Sequence, residues 1–277
     1  MRATSLLLLL SLALSQAAWA DAEPARRLPL WEAGVVGVSG SQQAYPGAAE
    51  QTTRTLVLPY AVIRGQFLRS DRGSIGVRAL RTPQFEFDLG LAGSLGSSSA
   101  RIEARRGMPD LGTLIEAGPR LRWNLAGHDA NDASGAWRLD LPLRAVLDLS
   151  NGLARRGLVF EPRLSYDSRA QDWRWSLSAA AVLGSRSLTE HFYGVEAQFV
   201  TSGRPAYEAR AGLIAWRGSG SLSHAITPDL RAFATLRLDT VAGAANDHSP
   251  LVRQRHGASA AVGLVYTLKA SRRPAFD

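Results

Sequence analysis

The feature that most constrains the fold is a two-residue alternation between apolar and charged side chains. Residues 137–149 read WRLDLPLRAVLDL, an apolar residue at every second position and arginine or aspartate at four of the six positions between. Two residues is the side-chain period of a β-strand, so leucines face one way and charges the other. Because the pattern recurs along the chain in segments of ~10 residues, an all-β fold is predicted.

The first twenty residues, MRATSLLLLLSLALSQAAWA, have the layout of a secretory signal peptide. Arg2 precedes a compact apolar run, and Ala-Trp-Ala forms a small-x-small cleavage site. We predict cleavage before Asp21 and one domain over residues 21–277. The chain has no cysteine, which suits a bacterial envelope protein better than a disulfide-stabilised extracellular module. No later segment approaches 18 consecutive apolar residues, so no transmembrane helix is expected.

Two architectures fit the alternation: a soluble β-sandwich and a transmembrane β-barrel, in which apolar faces meet lipid and polar faces line the lumen. The signal peptide and the mixed charges of the polar faces favour the barrel. So do aromatic residues near strand ends, where an interfacial girdle requires them: Trp31, Tyr60, Trp123, Trp137, Tyr166, Trp173, Trp216 and Tyr266. The predicted fold is a closed antiparallel transmembrane β-barrel in the outer membrane of a Gram-negative cell.

About twelve strands are expected, with ten or fourteen as alternatives. They are 31–39, 54–63, 73–81, 84–93, 113–124, 136–148, 157–167, 172–183, 206–216, 218–225, 229–240 and 257–268. Both termini then lie on the periplasmic side. Segments 40–53, 125–135 and 241–256 become outer loops, and 94–112 and 184–205 become periplasmic excursions. Pro59, Pro119, Pro142 and Pro162 fall inside strands, where each removes a ladder donor.

Projecting the alternation inward gives a lumen charge network of nine acids and ten bases. In a narrow barrel these groups should pair across the lumen, which disfavours a wide diffusion pore. The predicted acids are Glu86, Asp88, Glu116, Asp140, Asp148, Glu161, Asp172, Glu208 and Asp239. The predicted bases are Arg78, Arg120, Arg122, Arg138, Arg144, Arg163, Arg174, Arg210, Arg231 and Arg237.

The formal charge of +8 is carried almost wholly by arginine, because Lys269 is the only lysine. The arginines are scattered among carboxylates, so no basic motif for nucleic acid is present. The expected partners are outer-membrane lipid and lipopolysaccharide, with the barrel-assembly machinery acting during insertion.

Catalytic signatures are weak. His248 lies beside Asp247 in a loop, but no GxSxG elbow, HExxH motif or cysteine pair accompanies it. We therefore expect no catalytic residue, no metal and no cofactor; a barrel hydrolase is the least favoured alternative. A narrow channel for small anionic solutes, selected by lumenal arginines, is the second alternative.

Several segments, taken in order, resemble the MipA/OmpV family of outer-membrane proteins. These are WEAGVVGVSGSQQAYPGA at 31–48, LVLPYAVIRGQFL at 56–68, LPLRAVLDLSNG at 141–152, HFYGVEAQ at 191–198, NDHSPLV at 246–252 and GLVYTL at 263–268. Within them, Asn246, Asp247, His248, Ser249 and Pro250 form the outer-loop motif of the family.

The resemblance implies a non-enzymatic barrel that acts as a scaffold for murein (peptidoglycan)-remodelling enzymes, namely a periplasmic murein hydrolase and a murein synthase. Its contact surface would be periplasmic, and the two long excursions are the candidates for it. The predicted contact residues there are Arg101, Arg105, Arg106, His191, Phe192 and Tyr193.

Overall fold

The computed structural model describes residues 29–63, 68–71, 74–82, 84–94, 96–126 and 135–273. The predicted signal peptide lies outside these ranges. The strands are Trp31–Gln43 (β1), Gln51–Ile63 (β2), Leu68–Asp71 (β3), Ser74–Arg81 (β4), Phe85–Ser94 (β5), Leu114–Ala126 (β6), Ala136–Asp148 (β7), Ala154–Phe160 (β8), Arg163–Ala170 (β9), Trp173–Gly184 (β10), Gly212–Ala225 (β11), Leu230–Thr240 (β12) and His256–Ala270 (β13). One α-helix, Arg186–Tyr193 (α1), lies between β10 and β11. No described helix is long and apolar enough to cross a membrane.

All described pairings are antiparallel and follow one path, β2-β1-β13-β12-β11-β10-β8-β7-β6-β5-β4-β3. The strand β9 continues β8 between β7 and β10, so the path has twelve positions. Its two ends, β2 and β3, are consecutive in the chain and run in opposite directions, because directions alternate along the path. The segment that joins them, 64–67, lies outside the described residues.

Two differences from the predicted strands change the strand directions. Residues 206–216 and 218–225 were predicted as two strands, but residues 212–225 form the single strand β11. The four-residue strand β3 was not predicted, and it pairs with β4 in a hairpin through Asp71 and Ser74. These two differences cancel in the strand count. However, the strands from β4 to β10 run in the direction opposite to the predicted one.

The inverted directions change the side on which the loops lie. β1 begins and β13 ends at one end of the sheet, where the Leu30 amide donates to the Arg273 carbonyl at 2.8 Å; we call this the terminal end. Segments 44–50, 96–113, 185–211 and 241–255 all lie at the opposite end, the cap end. The prediction that 94–112 and 184–205 share a side with the termini was therefore wrong. Segment 125–135 was also misplaced, since β6 ends and β7 begins at the terminal end.

Two of the in-strand prolines interrupt one strand position. Between β8 and β9 the ladder stops at Glu161 and Pro162, opposite Pro142 of β7. Proline has no amide hydrogen to donate, but its carbonyl still accepts. Pro142 O accepts from the Glu161 amide at 3.3 Å, and Pro162 O accepts from the Ala181 amide at 3.2 Å. The prolines are therefore accommodated by a short break between β8 and β9. On either side of the break, β8 and β9 still pair with both β7 and β10.

The two faces of the sheet have opposite chemistry, as the alternation predicted. In β7, Leu143 is 45% exposed on the outer face, whereas the neighbouring inward residues Asp140 and Asp148 are buried. Large apolar side chains are exposed in the same way on most strands, from Phe87 in β5 to Leu264 in β13. A soluble sandwich would bury these side chains, whereas a barrel in lipid exposes them. The observed faces therefore fit a barrel.

Aromatic side chains ring the terminal end on the outer face. The rings of Trp137, Tyr166 and Trp175 form a row on three neighbouring strands, with centroids 5.0 and 5.3 Å apart. Such a belt marks a membrane–water interface. Trp216 is exposed near the cap end of β11, at the other end of the outer face. Tyr60 departs from the prediction, because it is buried on the inner face with its hydroxyl 2.7 Å from that of Thr267.

Candidate functional site: the lumen and its cap

The inner face carries its charges in two clusters, and the first is centred on Glu161. This carboxylate lies at the break between β8 and β9, and its side chain is 5% exposed. It contacts Arg144 at 3.0 Å and Arg163 at 2.6 Å. Arg217 lies 3.2 Å from it. The remaining contacts of this Glu161 cluster are Arg144–Glu116 at 2.9 Å, Arg217–Asp239 at 2.8 Å and Arg237–Asp239 at 3.4 Å.

The second cluster is centred on Asp140 of β7. Arg122 and Arg138 each approach this carboxylate at 2.9 Å from opposite sides. The remaining contacts of this Asp140 cluster are Arg122–Glu86 at 3.5 Å, Arg138–Asp167 at 2.6 Å and the Arg120–Asp88 pair.

The two clusters balance each other in charge. The Glu161 cluster has four arginines and three carboxylates, and the Asp140 cluster has three arginines and four carboxylates. Buried charges are tolerated only when they are paired, and pairing across neighbouring strands ties those strands together. The pairs follow from placing arginine and acid on the inward side of nearby strands. They run along the wall, so the prediction that these groups pair across the lumen was wrong.

Serines occupy the inner face between the arginines. The cross-strand register puts Arg138, Ser165, Ser178, Ser219, Arg237 and Ser259 side by side on six neighbouring strand positions. Next to this row, Ser176 pairs with Ser221. Because serine is short, the wall is set back along this row, which we call the serine row.

Two cavities lined by described residues lie in the interior. One, of about 220 Å³, lies over the serine row, and the other, of about 310 Å³, lies beneath the cap and against the Glu161 cluster. Gln42, Arg163, Arg217 and Arg237 line both cavities. Arginine side chains thus lie between these two cavities.

The loops of the cap end pack together into the interior. One hydrophobic cluster joins Tyr45, Ile102, Leu188 and Leu251 from four different loops to inward-facing strand residues such as Val146. Arg204 is buried and donates to the carbonyls of Phe199, Ala104 and Arg106 at 2.7–3.0 Å, which fastens two loops to each other. These four loops, with α1, form the structure that we call the cap.

Two tyrosines fasten the cap by hydrogen bonds. Tyr45 donates to the Leu251 carbonyl at 2.6 Å, and Tyr193 donates to the Pro46 carbonyl at 2.9 Å. Burial raises the pKa of both phenols, so they remain neutral donors. Burial, with repulsion from Arg156 and Arg105, lowers the pKa of His191 in α1 to about 4. The cap therefore contains a histidine that stays neutral at physiological pH.

The predicted contact residues of a periplasmic partner belong to this cap. Arg105 is buried and donates to the Phe192 carbonyl at 3.0 Å, and Tyr193 is 1% exposed. Both are structural residues, with no surface to offer a partner. Arg101 and Arg106 are exposed, but at the end opposite the termini. Arg105 and Tyr193 are therefore corrected to buried residues of the cap, because the cap loops pack around them. Contact of Arg101, Arg106, His191 and Phe192 with a partner stays a prediction, at the end opposite the termini.

The outer-loop motif also belongs to the cap. The Asn246 side chain is buried, accepts from the Arg210 amide and donates to the Arg210 carbonyl, both at 2.8 Å. Ser249 donates to the Tyr193 carbonyl at 2.8 Å. Asp247 pairs with the exposed ring of His248, and Pro250 follows at the cap surface. The motif fastens β12–β13 to the neighbouring loops.

Several predicted members of the charge network lie outside the two clusters. Glu208 is exposed in the cap and contacts Arg186 at 3.0 Å, and Arg210 is likewise exposed there, because β11 begins only at Gly212. Asp172 is exposed in the turn between β9 and β10. These three placements were wrong.

The other outlying members are on the inner face. Asp148 is buried but pairs with Arg156 at 2.7 Å at the cap end of β7. Arg174 and Arg231 lie inward near the terminal end of β10 and β12. The side chain of Arg78 is not among those that the structure describes.

Two central members were missed by sequence reasoning. Arg217 was lost because a strand boundary was predicted at that residue. The signal that identifies it is the alternation Arg217, Ser219, Ser221 and Ser223 against outward-facing residues such as Trp216 and Leu222. Asp167 was missed at the end of the predicted strand 157–167, where it pairs with Arg138.

An apolar outer face, an aromatic belt and an ion-paired inner face define the class: the protein is an outer-membrane β-barrel. The chain belongs to the MipA family, since the family model described as MltA-interacting protein MipA matches residues 35–268. This match confirms the resemblance found in the sequence.

Three solved structures are similar to the chain at low sequence identity. The NanC porin is 11% identical, with 84% of this chain and 100% of that chain covered and a TM-score of 0.40. A bacterial polysaccharide outer membrane secretin is 9% identical, with coverages of 87% and 99% and a TM-score of 0.42. An outer membrane channel from Pseudomonas putida F1 is 12% identical, with coverages of 90% and 100% and a TM-score of 0.36. No curated protein matches the chain.

Proposed function

We propose that the protein is a capped, non-conducting outer-membrane barrel that anchors murein-remodelling enzymes and has no catalytic activity of its own. The observation that carries the proposal is the cap. Four loops share one hydrophobic cluster with the inner wall, and beneath them arginine side chains, held in ion pairs along that wall, separate two interior cavities. An open pore would need the cap to move aside.

The terminal end is the surface that we propose for the enzymes. Outer-membrane barrels have short turns on the periplasmic side and long loops outside. The described turns 171–172 and 226–229 at the terminal end are short, whereas the four cap segments are long. The terminal end would therefore face the murein layer.

The family description supplies the kind of partner. The matching family is described as MltA-interacting, which supports a lytic transglycosylase as the bound enzyme. A murein synthase held by the same barrel would complete the scaffold. Both assignments are part of the proposal.

Charge reversal at the two ends tests the binding surface. Asp172 and Asp229 are exposed in the turns of the terminal end, and Glu208 is exposed in the cap. We expect D172R/D229R to lose capture of a purified lytic transglycosylase, while E208R retains it. Capture lost equally in both variants, or in neither, would contradict binding at the terminal end.

Conductance in planar bilayers tests the absence of a pore. The refolded protein, shown to be folded by its heat-modifiable migration on gels, should give no stable channels. Steps whose anion selectivity falls in Arg144→Ala would instead support the second candidate, a narrow anion channel. The observation favouring that candidate is the set of arginines that lines both interior cavities.

The geometry of the outer-loop motif supports the non-enzymatic part. His248 and Asp247 pair at the cap surface, but the nearby Ser249 hydroxyl is buried and donates to the Tyr193 carbonyl. A Ser–His–acid hydrolase needs the serine hydroxyl directed at the histidine. Ester hydrolysis that disappears in His248→Ala would overturn this part.

A further inference from the structure

We propose that the cavity over the serine row is a binding site for a small organic anion that carries several hydroxyl groups. The proposal concerns the lumen alone, so it stands or falls independently of enzyme binding at the terminal end. It also requires no conduction through the cap.

The wall of this cavity has one sign of charge. Five of the residues that line it are arginines, namely Arg54, Arg138, Arg163, Arg217 and Arg237, and none is Asp or Glu. The carboxylates that pair with several of these arginines are set behind them: the Glu161 side chain is 5% exposed, but the Arg163 side chain is 39% exposed. A solute in the cavity therefore meets guanidinium groups, although the two clusters together are neutral.

Arg237 has hydrogen-bonding capacity left. Its Nε lies 3.4 Å from Asp239 but makes no hydrogen bond, and its terminal nitrogen reaches Ser259 only at 3.4 Å. The stronger hydrogen bonds to Asp239 come from Arg217, at 2.8 Å. Arg237 can thus turn its planar donor edge toward a carboxylate or phosphate without leaving Asp239 unpaired.

The rest of the wall is lined by hydroxyl groups. Seven serines and two threonines face the cavity: Ser41, Ser165, Ser176, Ser178, Ser219, Ser221, Ser259, Thr52 and Thr235. Serine and threonine hydroxyls both donate and accept, so they match the hydroxyl groups of a polyol. Arginine at the edge of this surface adds recognition of an anionic group.

The cavity size restricts the ligand to a small molecule. Its volume is about 220 Å³, whereas one water needs roughly 10–15 Å³ by the same measure. A six-carbon hydroxylated acid is therefore a suitable probe. Gluconate carries a carboxylate and five hydroxyls, and sorbitol is its neutral counterpart.

Titration calorimetry on the refolded full chain in detergent micelles tests the site. We expect gluconate to bind with an affinity that falls as salt rises, because the attraction is ionic, and sorbitol to give no heat. Arg237→Gln should weaken gluconate binding about tenfold or more, since it removes a charge-assisted hydrogen bond. Arg231→Gln is the matched control, because Arg231 is on the inner face of the same strand but does not line the cavity.

Further variants separate the two kinds of recognition. Arg237→Lys keeps the charge, so its affinity for gluconate should fall less than that of Arg237→Gln. This partial recovery distinguishes loss of the ligand contact from a folding defect. Ser178→Ala/Ser219→Ala should weaken gluconate but leave any binding of inorganic phosphate unchanged. Equal binding of gluconate and sorbitol, phosphate binding without gluconate, or no gluconate heat from a folded wild-type protein would each overturn the proposal.

Discussion

Replacing Glu161 with glutamine removes the carboxylate that holds the largest number of arginines in the lumen. Arg144, Arg163 and Arg217 all lie within 3.2 Å of it. In the variant, Arg144 keeps Glu116 and Arg217 keeps Asp239, but Arg163 loses its only close carboxylate among the described ion pairs. The substitution preserves volume, so the change in stability reports the charge alone.

The size of the effect follows from burial. Removing one partner of a buried ion pair costs about 3–5 kcal/mol, because the remaining charge is left uncompensated. Arg163 borders the cavity and is 39% exposed, so solvent screens part of the loss. We therefore expect the lower end of that range, about 3 kcal/mol.

Urea unfolding in lipid vesicles, followed by heat-modifiable migration, measures this change. The matched control is Glu208→Gln, an exposed pair in the cap that should change the stability by less than about 1 kcal/mol. The double variant E161Q/R163Q should recover part of the loss, because it removes the uncompensated charge as well. Equal stability of Glu161→Gln and Glu208→Gln would refute the reasoning.

Three further predictions concern the cap and the outer face. Arg204→Ala frees three backbone carbonyls at about 1–3 kcal/mol each, so trypsin should cut the cap loops while the strands stay protected; unchanged protection would contradict the role of Arg204. The pKa of His191 is about 4 in the folded cap and about 6.5 in the unfolded chain, so the unfolded state takes up the proton first as the pH falls. The free energy of unfolding of the cap should therefore be full above pH 6.5 and fall by about 3 kcal/mol as the pH drops to 4. Hydrogen exchange of α1 against pH checks this, and H191Q should flatten the profile; a profile unaltered by H191Q would contradict it. Leu177→Arg puts a charge on the lipid face and should cost about 2–4 kcal/mol in the same urea assay, whereas Val200→Arg in the cap should cost little; equal costs would contradict the lipid-facing placement of Leu177.

The alternation was sufficient to predict the facing of β7. A two-residue period leaves only two choices of face, and an inner face with buried Asp140 and Asp148 opposite an outer face with exposed Trp137 and Leu143 fits a strand in lipid. The ion-pair partners of these charges could not be predicted from the alternation, because they depend on the register between strands. Arg138, for example, meets Asp167 only through the pairing of β7 with β9.

The sidedness of the loops could not be read from local sequence. The strand β3 is four residues long, too short to show a period, and its insertion inverts every strand up to β10. One strand in place of two at 212–225 then restores the direction. A single missed hairpin thus placed the loops that carry Arg105 and Tyr193 at the wrong end of the sheet. Their burial depends on contacts among distant cap loops, which local sequence does not show.

The most direct test of the central claim, that the charges of β7 face the lumen and its leucines face lipid, is a spin-label scan of that strand. The native chain has no cysteine, so a single cysteine can be placed at each position from 138 to 147 without background. Labels at 139, 141, 143, 145 and 147 should collide with oxygen dissolved in the bilayer, and labels at the positions between should not. Oxygen accessibility with the opposite alternation, or with no two-residue period, would contradict the account.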